Sequence, residues 1–499
     1  MGSRQTVALR LPNNYKFPNL PSSFLLLMRI PIPLKYRQFL LKAGLVLALL
    51  PFFGLSFYSL PYSDDYSAGV LARTYGIGGA CQHLYQTWSG RFFCNALQIG
   101  LNPLSYRWLG GMFLPVLLGF AVKIGGLWLG LRHLTTGKLT ASTAAWLAAG
   151  LTLLYLAVVP DVYSAAYYFT DLAVYQLPAL WLVVVPVAVN QAHRVPIRSR
   201  RHLWLLLASL GTAATAGATE LAVVLLGWML FIGFTSSLIR KQRNSARIWF
   251  GLGCLLLIVS GLAFSAPGNY ARMQVNATPV ASAAECFHRL LNNVRSVFAS
   301  PGLHGIALVP LLLAPLGVRL LPGRPAGLAL PLPLGTALLL VGVVLGCLPY
   351  ALVWDTPMPL RATNVLLWWL LIGWLLVCWA SLGPSLPRVL SPPARLLIAV
   401  FLAAIVSLTS VRAWLELAID APPYVHQWQG RYALFDRQAQ QPNQKLTIAP
   451  IVGVTPRHIT IHGYDIQPYY NFYVNGQVAS WFRMDSVRTD PSQMGHAAF

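Results

Sequence analysis

The run LWLLLASLGTAATAGATELAVVLLGWMLFIGFTSSLI, residues 203–239, is apolar over 37 positions and broken only at AGATE. A single helix of that length would overshoot a bilayer. The segment therefore predicts two spanning helices, 203–218 and 220–239, joined by a tight turn at Gly217–Glu220. That choice makes the number of crossings odd, and the distribution of charge tests it.

The rest of the chain has the same character. Of 499 residues, 56% are hydrophobic and 10% charged, with mean hydropathy +0.58. Soluble domains carry about 25% charged residues, so a water-soluble protein is excluded. The net charge of +23 does not indicate nucleic acid, because the basic residues are scattered between apolar spans instead of gathered on a polar domain. No cleavable signal is evident, and the first span reads as a retained anchor. Six cysteines are too few and too scattered for a disulfide framework or a zinc site; a Cys81–Cys94 bridge stays open beside free thiols.

Apolar segments long enough to cross hydrocarbon fall near 38–60, 110–131, 141–159, 172–190, 203–218, 220–239, 248–266, 302–318, 328–350, 363–381 and 395–414, eleven in all. With the N-terminus inside, the inner segments hold 21 Lys and Arg and the short outer loops seven, the positive-inside bias that sets orientation. All 13 Asp and Glu fall outside or at outer helix ends. An even count would blur that separation. The expected fold is an all-α polytopic membrane protein of about 11 spans. It comprises a cytoplasmic arm, 1–37, a transmembrane domain, 38–415, with a long outer loop at 61–109, and a small extracytoplasmic α+β tail, 416–499. In the tail, HITIH (458–462) alternates like a strand. YYNFYVNGQVASWF reads as a helix lying at the interface or against the site. His458 and His462 share a face of that strand, with no third ligand in view. YSAAYYF and QLP, within 163–178, read as an outer aromatic belt.

The outer segments collect ionisable groups at helix ends. The first loop opens with YSDDYS and later carries YQTWSGRFFCN, giving Asp64, Asp65, Trp88 and Arg91. The turn GATE supplies Glu220, SAPGNYARM supplies Asn269 and Arg272, and VWDTPMPLRATN supplies Asp355 and Arg361. Ionisable residues at membrane depth are uncommon and usually mark a substrate path. Arg91, Arg272 and Arg361 suit a phosphate or diphosphate, since guanidinium stays charged and makes paired hydrogen bonds. Two adjacent carboxylates repel, so one of them should hold its proton more tightly and suit a general base or a metal ligand. A solvated turn, snorkelling arginines and a capping Asn269 are the plainer readings of the same residues.

The order DDY, WSGR, GATE, PGNYAR, MPLRA and YYNFYV resembles a bacterial branch of the integral-membrane glycosyltransferases of the GT-C fold. The resemblance extends over roughly 60–490. Where close relatives have Asn before the Glu, this chain has Thr219. It implies an enzyme of the bacterial cytoplasmic membrane with its site on the extracytoplasmic side. The donor would be a polyprenyl-phosphate-linked sugar embedded in membrane lipid, and the acceptor a glycan, lipid or protein. Asp64 or Asp65 would activate the acceptor, with inversion at the sugar. A divalent cation, Mg or Mn, is left open, with Asp64 and Asp65 as its ligands if present. The alternatives are a transporter or flippase of a lipid-linked or anionic solute, and a non-catalytic assembly subunit.

Overall fold

A computed structural model describes residues 34–276, 278, 280, 282–299, 321, 330–382, 392–441, 445–461, 465–469 and 471–490. Contacts divide the chain into Met1–Val46 and Leu47–Phe499. The bundle and its site belong to the second unit.

The chain is overwhelmingly helical. In order come α1 (Leu34–Ser56), α2 (Asp64–Thr87), α3 (Phe92–Gly100), α4 (Phe113–Leu134), α5 (Ala141–Val158), α6 (Leu177–Arg194), α7 (Arg198–Ala216), α8 (Glu220–Ile239), α9 (Arg243–Phe264), α10 (Pro267–Asn276) and α11 (Ala283–Ala299). Then follow α12 (Leu332–Val353), α13 (Leu360–Leu382), α14 (Pro392–Leu415), α15 (Ala421–Gln438), β1 (Lys445–Ile448), α16 (Tyr473–Phe482) and β2 (Ser486–Thr489). Among the described residues, 9 helical segments are long and apolar enough to cross a membrane. The chain is thus a polytopic helical membrane protein. Of the eleven expected spans, 302–318 lies outside the described residues. The one at 203–218 falls on α7, which starts with Arg198, Arg200 and Arg201 and is not apolar enough to count.

The 203–239 run breaks where Gly217–Glu220 predicted. Helix α7 ends at Ala216 and α8 begins at Glu220. Thr219 stops the helix from running through: its side chain accepts a hydrogen bond from Ala222 N (3.2 Å), satisfying a donor that the new helix would leave unpaired. The segment Phe169–Arg194 is the hub, with 83% of its apolar window buried in protein. Neighbouring helices reach it through small residues. Gly126 of α4 faces Leu180, and Gly211 of α7 faces Trp181 and Val185, at distances that admit no side chain, the usual device for close helix packing in lipid.

Several expectations are corrected. The outer loop 61–109 is mostly helix, because α2 and α3 fill it. Asp64 and Asp65 sit in the first turn of α2, where carboxylates complement the helix dipole. YSAAYYF is not a lipid-facing belt: Tyr163, Tyr167 and Tyr168 are buried in protein, in and beside a π-helical turn, Tyr163–Tyr167. Cys81 and Cys94 are free; Cys94 is buried, with Sγ 3.3 Å from Ala173 O.

HITIH makes no strand over its described residues; the two-stranded parallel sheet is β1 and β2, Lys445 opposite Ser486. His458 instead donates its backbone N–H to Glu416 Oε2 (2.8 Å), and its Nδ1 lies 2.9 Å from the same oxygen. This docking removes the segment from a ladder. His462 lies outside the described residues. Helices α14 and α15 are continuous through a π-helical turn, Glu416–Asp420. The expected tail helix is α16. It packs on α2, where Arg73 donates to Trp481 O (2.9 Å) and Ser480 O (3.1 Å), and α15 reaches α2 separately through a hydroxyl hydrogen bond between Tyr432 and Tyr66 (3.1 Å).

Candidate functional site: a carboxylate pair and an arginine cluster

The two aspartates differ sharply in setting. Asp65 is fully buried and Asp64 is exposed. Asp65 Oδ2 accepts from Tyr62 N (3.1 Å) and Oδ1 from Thr170 Oγ1 (2.9 Å). Thr170 in turn accepts from Gln98 Nε2 (2.9 Å), and Asn102 Nδ2 holds Asp65 O (2.8 Å). Asp64 donates its backbone N–H to Tyr168 Oη (3.3 Å). Ser63, just ahead of the pair, has φ 40°, a left-handed strain that the surrounding packing must hold.

Burial first, with a smaller push from Asp64, raises the Asp65 carboxyl from 3.8 to about 7, against the lowering by Tyr62 and Thr170. The folded protein therefore keeps a proton there that the unfolded chain releases above about pH 4. Stability falls as pH rises between the two values and is level above about 7. Asp65→Asn should flatten that dependence and raise the melting temperature near pH 8. Thermal melting across pH checks this, and an unaltered profile would contradict the raised carboxyl.

The cations meet at the same end. Arg91 Nη2 donates to Glu220 Oε2 (2.7 Å). Burial pulls the Arg91 guanidinium down, and Glu220 beside it, together with Tyr175 and Tyr350, more than offsets that, so its proton is held more firmly than usual. Its Nε is buried with no protein partner. The Arg272 guanidinium carbon lies 5.3 Å from the Trp88 ring centroid; burial and then Arg91 lower its proton affinity, while Glu220 opposes them. Arg361 lies 5.7 Å from the Tyr175 ring centroid and pairs at 3.9 Å with Asp171, and its charge also reaches Arg272. Tyr168 feels Asp64, Asp65 and Asp171; burial first keeps its hydroxyl protonated. Arg91, Glu220, Arg272, Trp88 and Arg361 thus form one patch, and Asp171, the partner of Arg361, joins it to Asp64 and Asp65 beside Tyr168.

Two glycines set the position of Arg91. A Cβ on Gly90 would lie 1.8 Å from Ala263 O, and one on Gly268 would lie 2.4 Å from Trp88 N. Asn269 fastens the crossing: Oδ1 accepts from Gly90 N (3.1 Å) and Nδ2 donates to Ala263 O (2.7 Å). Asn269 is therefore a bracket between WSGR and PGN, its amide spent on backbone instead of facing a ligand. We expect Gly90→Ala to displace this loop and lower the melting temperature by several degrees, since backbone must move. A melting curve matching the unmodified protein would refute the interlock.

Asp355 is exposed, its backbone N–H donating to Thr278 Oγ1 (2.9 Å). The ion pairs of the patch do not include it. Reading from sequence missed Thr170, Tyr168 and Asp171, all inside the stretch taken for an aromatic belt. The available signal was Asp171 itself, an acid in apolar surroundings just as Glu220 is.

For a resident cation the donor set is a poor fit. Both Asp65 oxygens already accept protein hydrogen bonds, and no group of three His, Cys, Asp or Glu suited to a metal occurs among the described residues. No family model, curated protein or solved structure matches the chain.

Proposed function

We propose that the chain is a GT-C-like integral-membrane glycosyltransferase that takes sugar from a polyprenyl-phosphate donor on the extracytoplasmic face of a bacterial inner membrane. The observation carrying this reading is the convergence of a carboxylate pair and three arginines from four distant segments into one patch. A group-transfer site for an anionic leaving group needs that combination: a base for the incoming nucleophile and fixed cations where negative charge develops.

Asp64, exposed at the start of α2, is the carboxylate able to touch an acceptor. Asp65 lies beneath it and holds the turn through Tyr62 and Thr170. In the transfer, Asp64 takes the acceptor hydroxyl proton and the acceptor oxygen forms a bond to the anomeric carbon from the face opposite the phosphate. The anomeric carbon–phosphate oxygen bond breaks, its electron pair leaving with the phosphate. Arg91, Arg272 and Arg361 stabilise that anion, and α16 with its neighbouring tail helps exclude water. No step passes through a metal.

One observation favours transport as the second reading. Lys123 lies inside α4, buried, with Nζ donating to Ala165 O (3.0 Å) and Gln176 Oε1 (3.3 Å); an ionisable group within a span is the mark of a solute or proton path. The two readings part on one experiment. Purified protein is incubated with a radiolabelled polyprenyl-phosphate sugar and a pool of envelope glycans, and in parallel reconstituted into vesicles with the same lipid. Labelled glycan appearing only with the protein supports the transferase. Movement of the lipid across the vesicle without labelled product overturns it.

A further inference from the structure

At the opposite end of the bundle lies a second site. Helix α8, 20 residues long and so about 30 Å from end to end, has Glu220 at one end. At its other end, a cavity of about 850 Å³ opens between α6, α8, α9, α12 and α13, within the range of ligand pockets, about 300–1,000 Å³. Its walls are hydrocarbon and indole, with Val183, Leu339, Trp249 and Trp369 among them. Its rim is cationic: Arg194, Arg240, Lys241 and Arg243 line it, and among the described residues no Asp or Glu does.

The rim is built by the turn between α8 and α9. Lys241 adopts a left-handed φ of 56°, and the backbone closes with Gln242 N donating to Ser237 O (2.8 Å) and Lys241 N to Leu238 O (2.9 Å). The turn gathers Arg240, Lys241 and Arg243 beside Arg194 at the end of α6. The first residues of α9, Arg243 to Ser245, line the same cavity, and a helix N-terminus adds to the attraction for an anion. Inside the cavity, Asn190 Nδ2 is buried with no hydrogen-bond partner. A buried donor left unpaired in an apolar wall costs stability unless something accepts from it.

We infer that this cavity is a site for an anionic phospholipid, its acyl chains between α6, α8, α12 and α13 and its phosphate at the Arg194–Arg243 rim. An apolar slot alone would take any lipid chain. The four cations, on a rim where no described Asp or Glu lies, select a negative headgroup, and Asn190 supplies a donor inside the cavity. The inference is independent of the transferase reading and concerns different residues.

The test uses the full chain, purified in detergent, stripped of lipid and titrated with dioleoyl phosphatidylglycerol or dioleoyl phosphatidylcholine. Native mass spectrometry counts the lipid retained. The expected result is at least about a tenfold preference for phosphatidylglycerol. The preference should disappear when Arg194, Arg240, Lys241 and Arg243 are all replaced by Gln. Ser236→Phe, which fills the cavity from its wall with the cations intact, should lower phosphatidylglycerol retention to a similar degree. Equal retention of the two lipids by the unmodified protein overturns the site without any variant being needed. Retention undiminished in Ser236→Phe overturns it as well, because the lipid then sits on the basic surface and not in the cavity.

Discussion

On the proposed transferase reading, Asp64→Asn should lower sugar transfer by about 10²–10⁴-fold, the usual worth of a positioned general base, while the protein inserts and melts nearly as before. The structural cost is small because Asp64 is exposed and its tie to Tyr168 runs through the backbone N–H, which the amide keeps. Losing a carboxylate from the first turn of α2 costs about 0.3–1 kcal/mol. Asp65→Asn acts differently: it alters the hydrogen bonds to Tyr62 and Thr170 beneath the site, so its effect on transfer is smaller and is accompanied by the altered pH profile of melting. Initial rates with a fixed labelled donor, measured for both variants, check this. Full activity in Asp64→Asn removes that residue as the base.

Arg91→Ala is expected to reduce transfer by about 10²–10³-fold, the loss typical of one fixed donor at a developing anion. Two consequences of the substitution must be separated. Removing the guanidinium takes away the cation proposed to meet the donor phosphate, and it also leaves Glu220 without its partner at 2.7 Å. The Glu220 side chain is 41% exposed, so water shares the burden and the stability loss is modest. The double variant Arg91→Ala, Glu220→Ala should restore the melting temperature and leave transfer depressed. Arg91→Lys should fall between, keeping the charge but not the paired geometry. Recovery of transfer in the double variant would show that Arg91 serves only to neutralise Glu220.

Apolar runs exposed most of the helices to direct reading, because hydrocarbon imposes length and composition on each span separately. The break at Gly217–Thr219 was legible for the same reason: only a polar interruption explains 37 apolar residues in sequence. Glu220, Arg91, Arg272 and Arg361 were conspicuous as charges at helix ends. What sequence did not disclose was pairing. Nothing local to Thr170 announces that it holds Asp65, 105 positions away. Tyr168 lies in a run with the composition of an interfacial belt, and only its hydroxyl beside Asp64 N makes it part of the site. HITIH alternates as a strand does, yet the Glu416 carboxylate competes for its backbone and wins.

The last apolar helix carries a mechanical implication. From Val400 to Gln438 it runs for 39 residues without interruption, roughly 58 Å of rod, far more than the lipid needs. The excess is a rigid strut, and Tyr432 near its tip clasps Tyr66 one residue beyond the carboxylate pair. Because a helix turns about 100° per residue, the surplus residue of the π-helical turn Glu416–Asp420 sets the angular phase at which Tyr432 arrives. That phase decides whether the Tyr432 hydroxyl meets Tyr66 at all: deleting one residue from the turn would swing Tyr432 about 100° around the rod and break the link to α2.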